Sequence, residues 1–381
     1  MTLDDLSVLA SPAVDDWLRE LQQSAQDELR LQNVLRGRLP AGVARAAAEL
    51  IWLRRKAVAK FPGGRVRWFD REGYEQSTGE LISEYRAKRF AEAERICDAC
   101  AGIGGDGVAL AAHAEVVGVE VSPARCGMTR LNARDVGCHR LQTVCADATR
   151  WLPPHDFVFL DPSRRKGHQR FVTVQELTPS WDFCVEGATS ARGAAIKLSP
   201  LMHPEDYYLD AEIEFLSSKG ECRDQTLWFG ALKRGRLRAT VLPSGESVSV
   251  DDPSCDEVAP VGEWVYVPDP AVARAALSAQ CAARFGLRLV SRDLEIVTGD
   301  QLVETALLRA YRVAAVIPWE RKLLRKELRR LNARPEVVVR RGTRASEEQL
   351  RSLFPKKGER RMAALFLNAP EGPVVVLSEL G

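Results

Sequence analysis

The chain has 381 residues, with 54 Lys and Arg against 52 Asp and Glu, a net charge of +2. A hydrophobic content of 45% with 28% charged residues excludes a disordered chain and gives a globular protein long enough for two or three domains. No apolar run reaches transmembrane length, the acidic start Met1-Thr2-Leu3-Asp4-Asp5 carries no signal-peptide pattern, and nine scattered cysteines suit a reducing compartment; the expected location is the cytoplasm, with no membrane partner.

Residues 1–60 read as helices. Leu3, Leu6, Val14, Leu18, Leu21, Leu29 and Leu31 recur at helical spacing, as do Val43, Ala47, Leu50, Ile51 and Leu53. Leu53–Lys60 is an apolar stripe with four cations, read either as a solvated face or as phosphate contacts. Phe61-Pro62-Gly63-Gly64 ends the helix. After the aromatic stretch Trp68–Gln76, Ser77 or Thr78 is the expected N-cap of a helix with Leu81, Ile82, Tyr85 and Phe90 on its apolar side.

The segment Arg95–Val121 is the centre of the chain's organisation. An apolar strand (Arg95–Ala99) runs into a glycine turn, a short Ala/Val/Leu helix comes next, and a second apolar strand ends at Glu120. This is a βαβ unit, and ligands of open α/β sheets sit at the carboxyl ends of such strands. Glycine at 102 and 104 lets backbone N–H groups approach a ligand, and Glu120 stands where it can accept two ribose hydroxyls. Gly102, Gly104 and Gly107 also spell the dinucleotide fingerprint, so a nicotinamide cofactor competes with S-adenosylmethionine. Asp98 favours the latter: an acid in the strand–turn junction suits an ammonium and opposes a pyrophosphate. Cys97 and Cys100 form a lone C-x-x-C, read as small residues packing the turn, and no metal is expected.

Ser122-Pro123 starts a helix, Leu141–Cys145 is a third strand with Asp147 just past it, and Phe157–Leu160 is a fully apolar fourth strand ending at Asp161-Pro162-Ser163-Arg164-Arg165. The run Asp98-x-Cys100-x-Gly102-x-Gly104-Gly105-Asp106, with Glu120 on the next strand, Asp147 after the third and Asp161-Pro162 after the fourth, resembles the ordered motifs of class I S-adenosylmethionine-dependent methyltransferases, in particular the branch containing the trimethylguanosine synthases. The resemblance implies that Asp98, Gly102 and Gly104 hold the methionine part of the cofactor, Glu120 the ribose and Asp147 the adenine. It also implies that the helix after residue 76 packs over the cofactor, with Thr78 and Tyr85 as candidate walls; ordinary packing of that helix is the equal alternative.

Asp161, Pro162 and Ser163 are the expected catalytic segment, where a carboxylate and a proline-linked carbonyl grip and aim the acceptor. Typical base-amine methyltransferases carry a second proline and a stacking aromatic here; this chain has Ser163 and Arg164 instead. The Asp-Pro-x-Arg form also resembles uridine C5 methyltransferases, but the fifth strand around Ala194–Pro200 lacks the cysteine they need. Arg164, Arg165, Lys166 and Arg170 make a basic loop suited to an anionic substrate.

Glu212–Leu216, Gln225–Gly230 and Arg238–Leu242 finish the sheet, and the Ser/Asp/Gly/Pro-rich Ser244–Pro260 marks a boundary. Beyond it lie an Ala-rich helix around Val272–Phe285, strands near Leu287–Val290 and Leu294–Val297, the apolar Leu307–Val316, and a helix after Trp319 with Leu323, Leu324, Leu328 and Leu331 on one face. From Trp319 to Arg361 there are 15 Lys/Arg against 6 Asp/Glu, a surplus of nine in a chain of net +2. That concentration is the footprint of a nucleic-acid binder, with Arg321, Lys322 and Arg325 as phosphate contacts. Tyr311-Arg312-Val313, Pro318–Lys322, Glu336–Thr343 and Lys357-Gly358 resemble the THUMP-like domain of bacterial class I methyltransferases, preceded by a small ferredoxin-like unit.

The expectation is a Rossmann-like α/β methyltransferase sheet with an N-terminal helical region at 1–75, a methyltransferase domain at 76–252, a ferredoxin-like α+β unit at 262–310 and a THUMP-like basic domain at 311–381. The expected function is methyl transfer from S-adenosylmethionine to a nucleotide of structured RNA, tRNA or rRNA. Two rivals stand beside it: an RNA-binding assembly factor that keeps the fold without catalysis, and a small-molecule methyltransferase.

Overall fold

A computed structural model describes residues 1–24, 27–163, 165–166, 169–170, 173–202, 210–355, 357–369 and 371–380. The chain forms two compact units, the first Met1–Glu212 with Thr226–Arg234, the second Ile213–Gln225 with Gly235–Gly381. Among the described residues no helix is long and apolar enough to cross a membrane.

The first unit opens with four helices, α1 (Leu3–Leu9), α2 (Pro12–Gln23), α3 (Glu28–Arg36) and α4 (Ala41–Ala57). Their starts obey local chemistry: a Thr2/Asp5 capping box on α1, Pro12 in the first turn of α2, and Asp27 capping α3. Leu6, Leu9, Leu18, Leu31, Leu35, Leu50 and Ile51 bury into one cluster with Trp68 and Phe69. That cluster also takes in Ile103 of the glycine turn and Met128 further on, so the N-terminal helices are a buttress behind the turn.

Next come α5 (Arg71–Gln76), capped by Asp70, and α6 (Glu80–Ala87). The N-cap of α6 is Gly79, not Ser77 or Thr78. The Thr78 hydroxyl donates instead to Asp106, at 2.6 Å, so a tertiary bond has taken the group that the local pattern assigned to capping.

The chain continues through β1 (Arg95–Ala99), α7 (Gly105–Leu110), β2 (Glu115–Glu120), α8 (Pro123–Asp135), β3 (Leu141–Cys145), β4 (Phe157–Leu160), the short β5 (Arg165–Lys166) and β6 (Gln169–Arg170), which among the described residues pair only with each other, α9 (Trp181–Ser190) and β7 (Gly193–Leu198). Strands β3, β2, β1, β4 and β7 lie side by side in that order, all parallel. Every residue of β4 and β7 is buried, as parallel strands covered on both faces require. The chain moves outward through β2 and β3, then crosses back to place β4 on the other side of β1. The switch point therefore lies between β1 and β4, where such sheets bind ligands. In register, Asp98 pairs with Gly118 of β2 and Phe159 of β4, and Leu160 pairs with Ile196 of β7.

Beyond β8 (Glu212–Ser218), strand β9 (Glu221–Gly230) is divided between the units; its end lies next to β7. In the second unit β8 runs parallel to β10 (Leu237–Leu242), which pairs antiparallel with β11 (Glu246–Ser249). The rest of the unit comprises β12 (Trp264–Pro268), α10 (Pro270–Arg274), α11 (Ser278–Phe285), β13 (Arg288–Ser291), β14 (Ile296–Gly299), β15 (Leu308–Pro318), α12 (Arg321–Arg330), β16 (Ala333–Arg341), α13 (Glu347–Arg351), β17 (Arg360–Ala369) and β18 (Gly372–Glu379). Seven of these strands make one sheet in the order β13-β14-β12-β15-β18-β17-β16, with β15 pairing β12 on one side and β18 on the other. Alternation along β17 is strict: Met362, Ala364 and Phe366 join the cluster under Leu324 and Leu328 of α12, while Ala363, Leu365 and Leu367 join the cluster on the opposite face.

Candidate active site

The turn after β1 is shaped by backbone conformation. Gly102 and Gly104 have φ of +57° and +81°, in the left-handed region where side chains are strained. A methyl group at Gly104 would lie 2.6 Å from Thr129 Cγ2. Thr129 itself donates its hydroxyl to the Gly102 carbonyl at 3.1 Å, so α8 clasps the turn from behind. Cys100 also has a positive φ, +89°, a strained conformation for a residue with a Cβ, at the point where the strand becomes the turn.

Asp98 is the most informative group. It is 1% exposed, and neither carboxylate oxygen has a hydrogen-bond partner among the described residues. Burial, then Asp106, Asp161 and Glu120, hold its carboxyl well above the usual carboxylate range. Gly107 makes room for it: a Cβ there would meet Asp98 Oδ2 at 2.9 Å. A buried carboxylate without donors is costly unless a cation meets it, so the junction fits the ammonium of S-adenosylmethionine and opposes an anionic pyrophosphate.

Glu120, at the end of β2, accepts from the Gly102 N–H at 2.9 Å and the Ser122 N–H at 2.8 Å, one on each oxygen. Each oxygen keeps a lone pair for a ribose hydroxyl. Asp147 lies in an exposed loop, where its Oδ1 accepts from the Thr149 N–H (2.9 Å) and hydroxyl (2.7 Å), holding its carboxyl below the usual range. Thr78 is buried and tied to Asp106, whose other oxygen pairs with the buried Arg86 of α6. That trio fixes α6 against α7, the arrangement that would make α6 a wall of the cofactor site. Burial and then Asp98 push the Cys97 thiol up to about 12, and burial with Cys184 and Asp161 raises Cys100, so neither is a thiolate at neutral pH. Among the described residues no three His, Cys, Asp or Glu side chains gather to hold a metal ion.

Asp161 leaves the end of β4 beside the switch point. Its Oδ2 lies 2.6 Å from Nζ of Lys197, which projects from β7. Sequence reading missed Lys197, because only the β4–β7 register brings it to Asp161. Pro162 is buried, and Ser163 forms a two-hydrogen-bond bridge with Thr178, at 2.7 and 3.0 Å, which fixes the backbone just after the acid. Arg164 lies outside the described residues, and for Arg165 the structure describes only the backbone, in β5.

A second residue missed by sequence reading is Asn132 on α8. Its carbonyl accepts from the Arg67 and Trp68 N–H groups (2.9 and 2.8 Å), and its amide donates to the carbonyls of Trp68 and Ile103 (3.0 and 2.9 Å). One fully buried amide thus ties the N-terminal buttress to the glycine turn. No local pattern marks such an asparagine.

In the second unit, Arg321, Lys322 and Arg325 are exposed on α12, with Leu324 and Leu328 buried beneath them. Arg330, Arg351, Arg360 and Arg361 are paired with Glu327, Glu347, Glu379 and Glu336. Grooves of about 410 and 310 Å³ flank Trp319, one lined by Arg321 and the other by Arg344.

The chain is similar to known proteins in both sequence and fold. The THUMP domain-like family matches residues 308–379. An uncharacterised S-adenosylmethionine-dependent methyltransferase of Mycobacterium tuberculosis is 29% identical over 337 residues, covering 85% of this chain and 92% of that one. An uncharacterised RNA methyltransferase of Thermosynechococcus vestitus is 42% identical over 84 residues, 21% of this chain and 18% of that protein. A crystal structure from Porphyromonas gingivalis W83, assigned as a methyltransferase, matches with a TM-score of 0.77 at 20% identity, covering 99% of both chains, and so shares the fold. The likeness over most of the chain defines the class of enzyme: this is an S-adenosylmethionine-dependent methyltransferase. Its C-terminus carries a THUMP-like domain, and its cofactor is S-adenosyl-L-methionine.

Proposed function

We propose that this enzyme methylates a nucleotide of structured RNA, tRNA or rRNA. The observation that carries the reading is the exposed row Arg321, Lys322 and Arg325 on a helix whose other face is buried, inside the THUMP-like match. Cations held on one face of a rigid helix, without ion-pair partners among the described residues, suit phosphates. The partial likeness to a protein named as an RNA methyltransferase supports the same substrate.

In this reading Asp98 takes the cofactor's ammonium, the backbone of Gly102 and Gly104 lies along its methionine part, Glu120 takes the ribose hydroxyls and Asp147 the adenine amino group. Thr78 holds α6 over them through Asp106. The bound cofactor supplies an electrophilic methyl group. Asp161 and the Pro162 carbonyl orient the acceptor, Ser163 anchors their loop, and Arg164 and Arg165 are assigned to substrate phosphates from the sequence alone.

The test is methyl transfer from labelled S-adenosylmethionine into size-fractionated RNA from a strain lacking the gene, with Asp161→Ala as control. Label in one RNA fraction that disappears with the variant is the expected result. Label only in small molecules, or none in RNA while the cofactor binds, overturns the RNA substrate.

A further inference from the structure

Resting on the RNA methyltransferase reading, we propose that the acceptor is a ribose 2′-hydroxyl and that Lys197 is a catalytic residue acting beside Asp161. Lys197 belongs to β7, every residue of which is buried, and its side chain is 9% exposed. A buried ammonium is costly unless paired, and its partner is the acid at the end of β4, at 2.6 Å. The Gln76 carbonyl lies 3.5 Å from the same nitrogen. Asp161 is more open, 27% exposed, and its Oδ1 has no hydrogen-bond partner among the described residues. The pair therefore presents two unlike groups side by side: a carboxylate oxygen that accepts and an ammonium that donates. Both act on Asp98 electrostatically, which places them at the same end of the sheet as the cofactor's ammonium site.

That pairing distinguishes acceptors. An exocyclic base amine offers two N–H donors and must keep its lone pair free to attack. An ammonium beside it competes for that lone pair and repels the positive charge that grows on the nitrogen. A hydroxyl matches both groups: its O–H donates to Asp161 Oδ1, one lone pair accepts from Lys197, and the other attacks. The nearby positive charge also favours loss of the hydroxyl proton. The sequence agrees, because Ser163 and Arg164 occupy the positions where base-amine enzymes carry proline and a stacking aromatic. Within an RNA chain the available hydroxyl is the ribose 2′-OH.

The step balances. The 2′-oxygen attacks the sulfonium methyl carbon in line, the O–C bond forms as the C–S bond breaks, and the electron pair stays on sulfur as S-adenosylhomocysteine. The hydroxyl proton passes to Asp161 and then to water. Lys197 keeps its protons throughout.

A 2′-O-methyl group blocks alkaline cleavage of the adjacent phosphodiester, which gives a readout independent of rate. RNA from a strain lacking the gene is labelled by the full-length protein and digested with alkali. Label in alkali-stable dinucleotides is the expected result. Label in mononucleotides places the methyl on a base and overturns the proposal while leaving the RNA methyltransferase reading intact. No label in any RNA, with S-adenosylmethionine shown to bind, overturns both. Lys197→Met is expected to lower labelling by about 100-fold with cofactor affinity unchanged, and unchanged labelling removes Lys197 from catalysis. If that variant no longer binds cofactor, Lys197→Gln, which keeps an N–H donor for Asp161 without the charge, takes its place under the same two outcomes.

Discussion

Because the folded pKa of Asp98 lies above the unfolded value of about 3.9, the native protein holds a proton that the unfolded chain releases. Its contribution is fully present below about pH 3.9 and is lost as pH rises through the folded value. Denaturant titrations of the cofactor-free protein at rising pH should show this fall, and Asp98→Asn should flatten it. The same substitution should weaken S-adenosylmethionine binding by about 10–100-fold, since a hydrogen bond to a charged group contributes about 1.5–3 kcal/mol. A variant that binds normally would remove Asp98 from the cofactor site. The glycines separate backbone from packing. Gly102→Ala meets nothing within 4 Å and carries only the left-handed backbone cost, about 1 kcal/mol, whereas Gly104→Ala adds a 2.6 Å clash with Thr129. Thermal melts should rank Gly104→Ala well below Gly102→Ala.

Among elements, one cation of residues 53–60, Arg54, is neither on a solvated face nor at a phosphate site, while Arg55 stays exposed. Arg54 of α4 is buried, pairs with Asp15 of α2 at 3.1 Å, donates to the Arg67 carbonyl at 3.0 Å and stacks 4.6 Å from the Trp68 ring. Arg55 donates to the carbonyls of Leu21 and Ser24 near the end of α2. Asp15→Asn should cost about 3–5 kcal/mol, because it leaves Arg54 buried without its counter-charge. Burial works to raise the Asp15 carboxyl, but Arg19 and Arg54 outweigh it and hold the group below its ordinary value. Its contribution is therefore present above about pH 3.9 and lost as pH falls through the lowered value. Urea midpoints of wild type and variant should converge in acid; a constant gap would show that the loss is packing, not charge. Since α2 and α4 belong to the buttress behind the glycine turn, the variant should also loosen cofactor binding.

For the whole molecule, charge distribution decides the prediction. The surplus of nine positive charges between Trp319 and Arg361 sits in a chain whose total is +2. Reversing Arg321, Lys322 and Arg325 to Glu should weaken RNA binding at every sequence. It should reduce the slope of log affinity against log salt by roughly 0.7–0.9 per lost phosphate contact. Affinity for S-adenosylmethionine should stay the same, as the proposed cofactor site lies at the ends of β1, β2 and β3. A salt slope equal to that of wild type would mean that these three cations face solvent only.

Much of the fold was legible because its signals are local. Apolar runs marked the buried strands, glycines marked the turn that needs left-handed backbone, and acids marked the strand ends, so the class, the cofactor and the candidates Asp98, Glu120 and Asp161 emerged from short stretches of chain. What escaped was set by distance along the chain: Lys197 meets Asp161 across 36 positions, Arg54 meets Asp15 across 39, and Asn132 meets Trp68 across 64. Thr78 likewise left its expected capping role for an acid 28 residues away. The sequence by itself determined which segments form strands and helices and which chemistry stands at their ends, because periodicity and backbone preference act over a few residues. Only the tertiary structure decided which of those ends meet, because the order and register of the sheet bring distant side chains within bonding distance, and burial makes each unpaired polar group costly enough to select its partner.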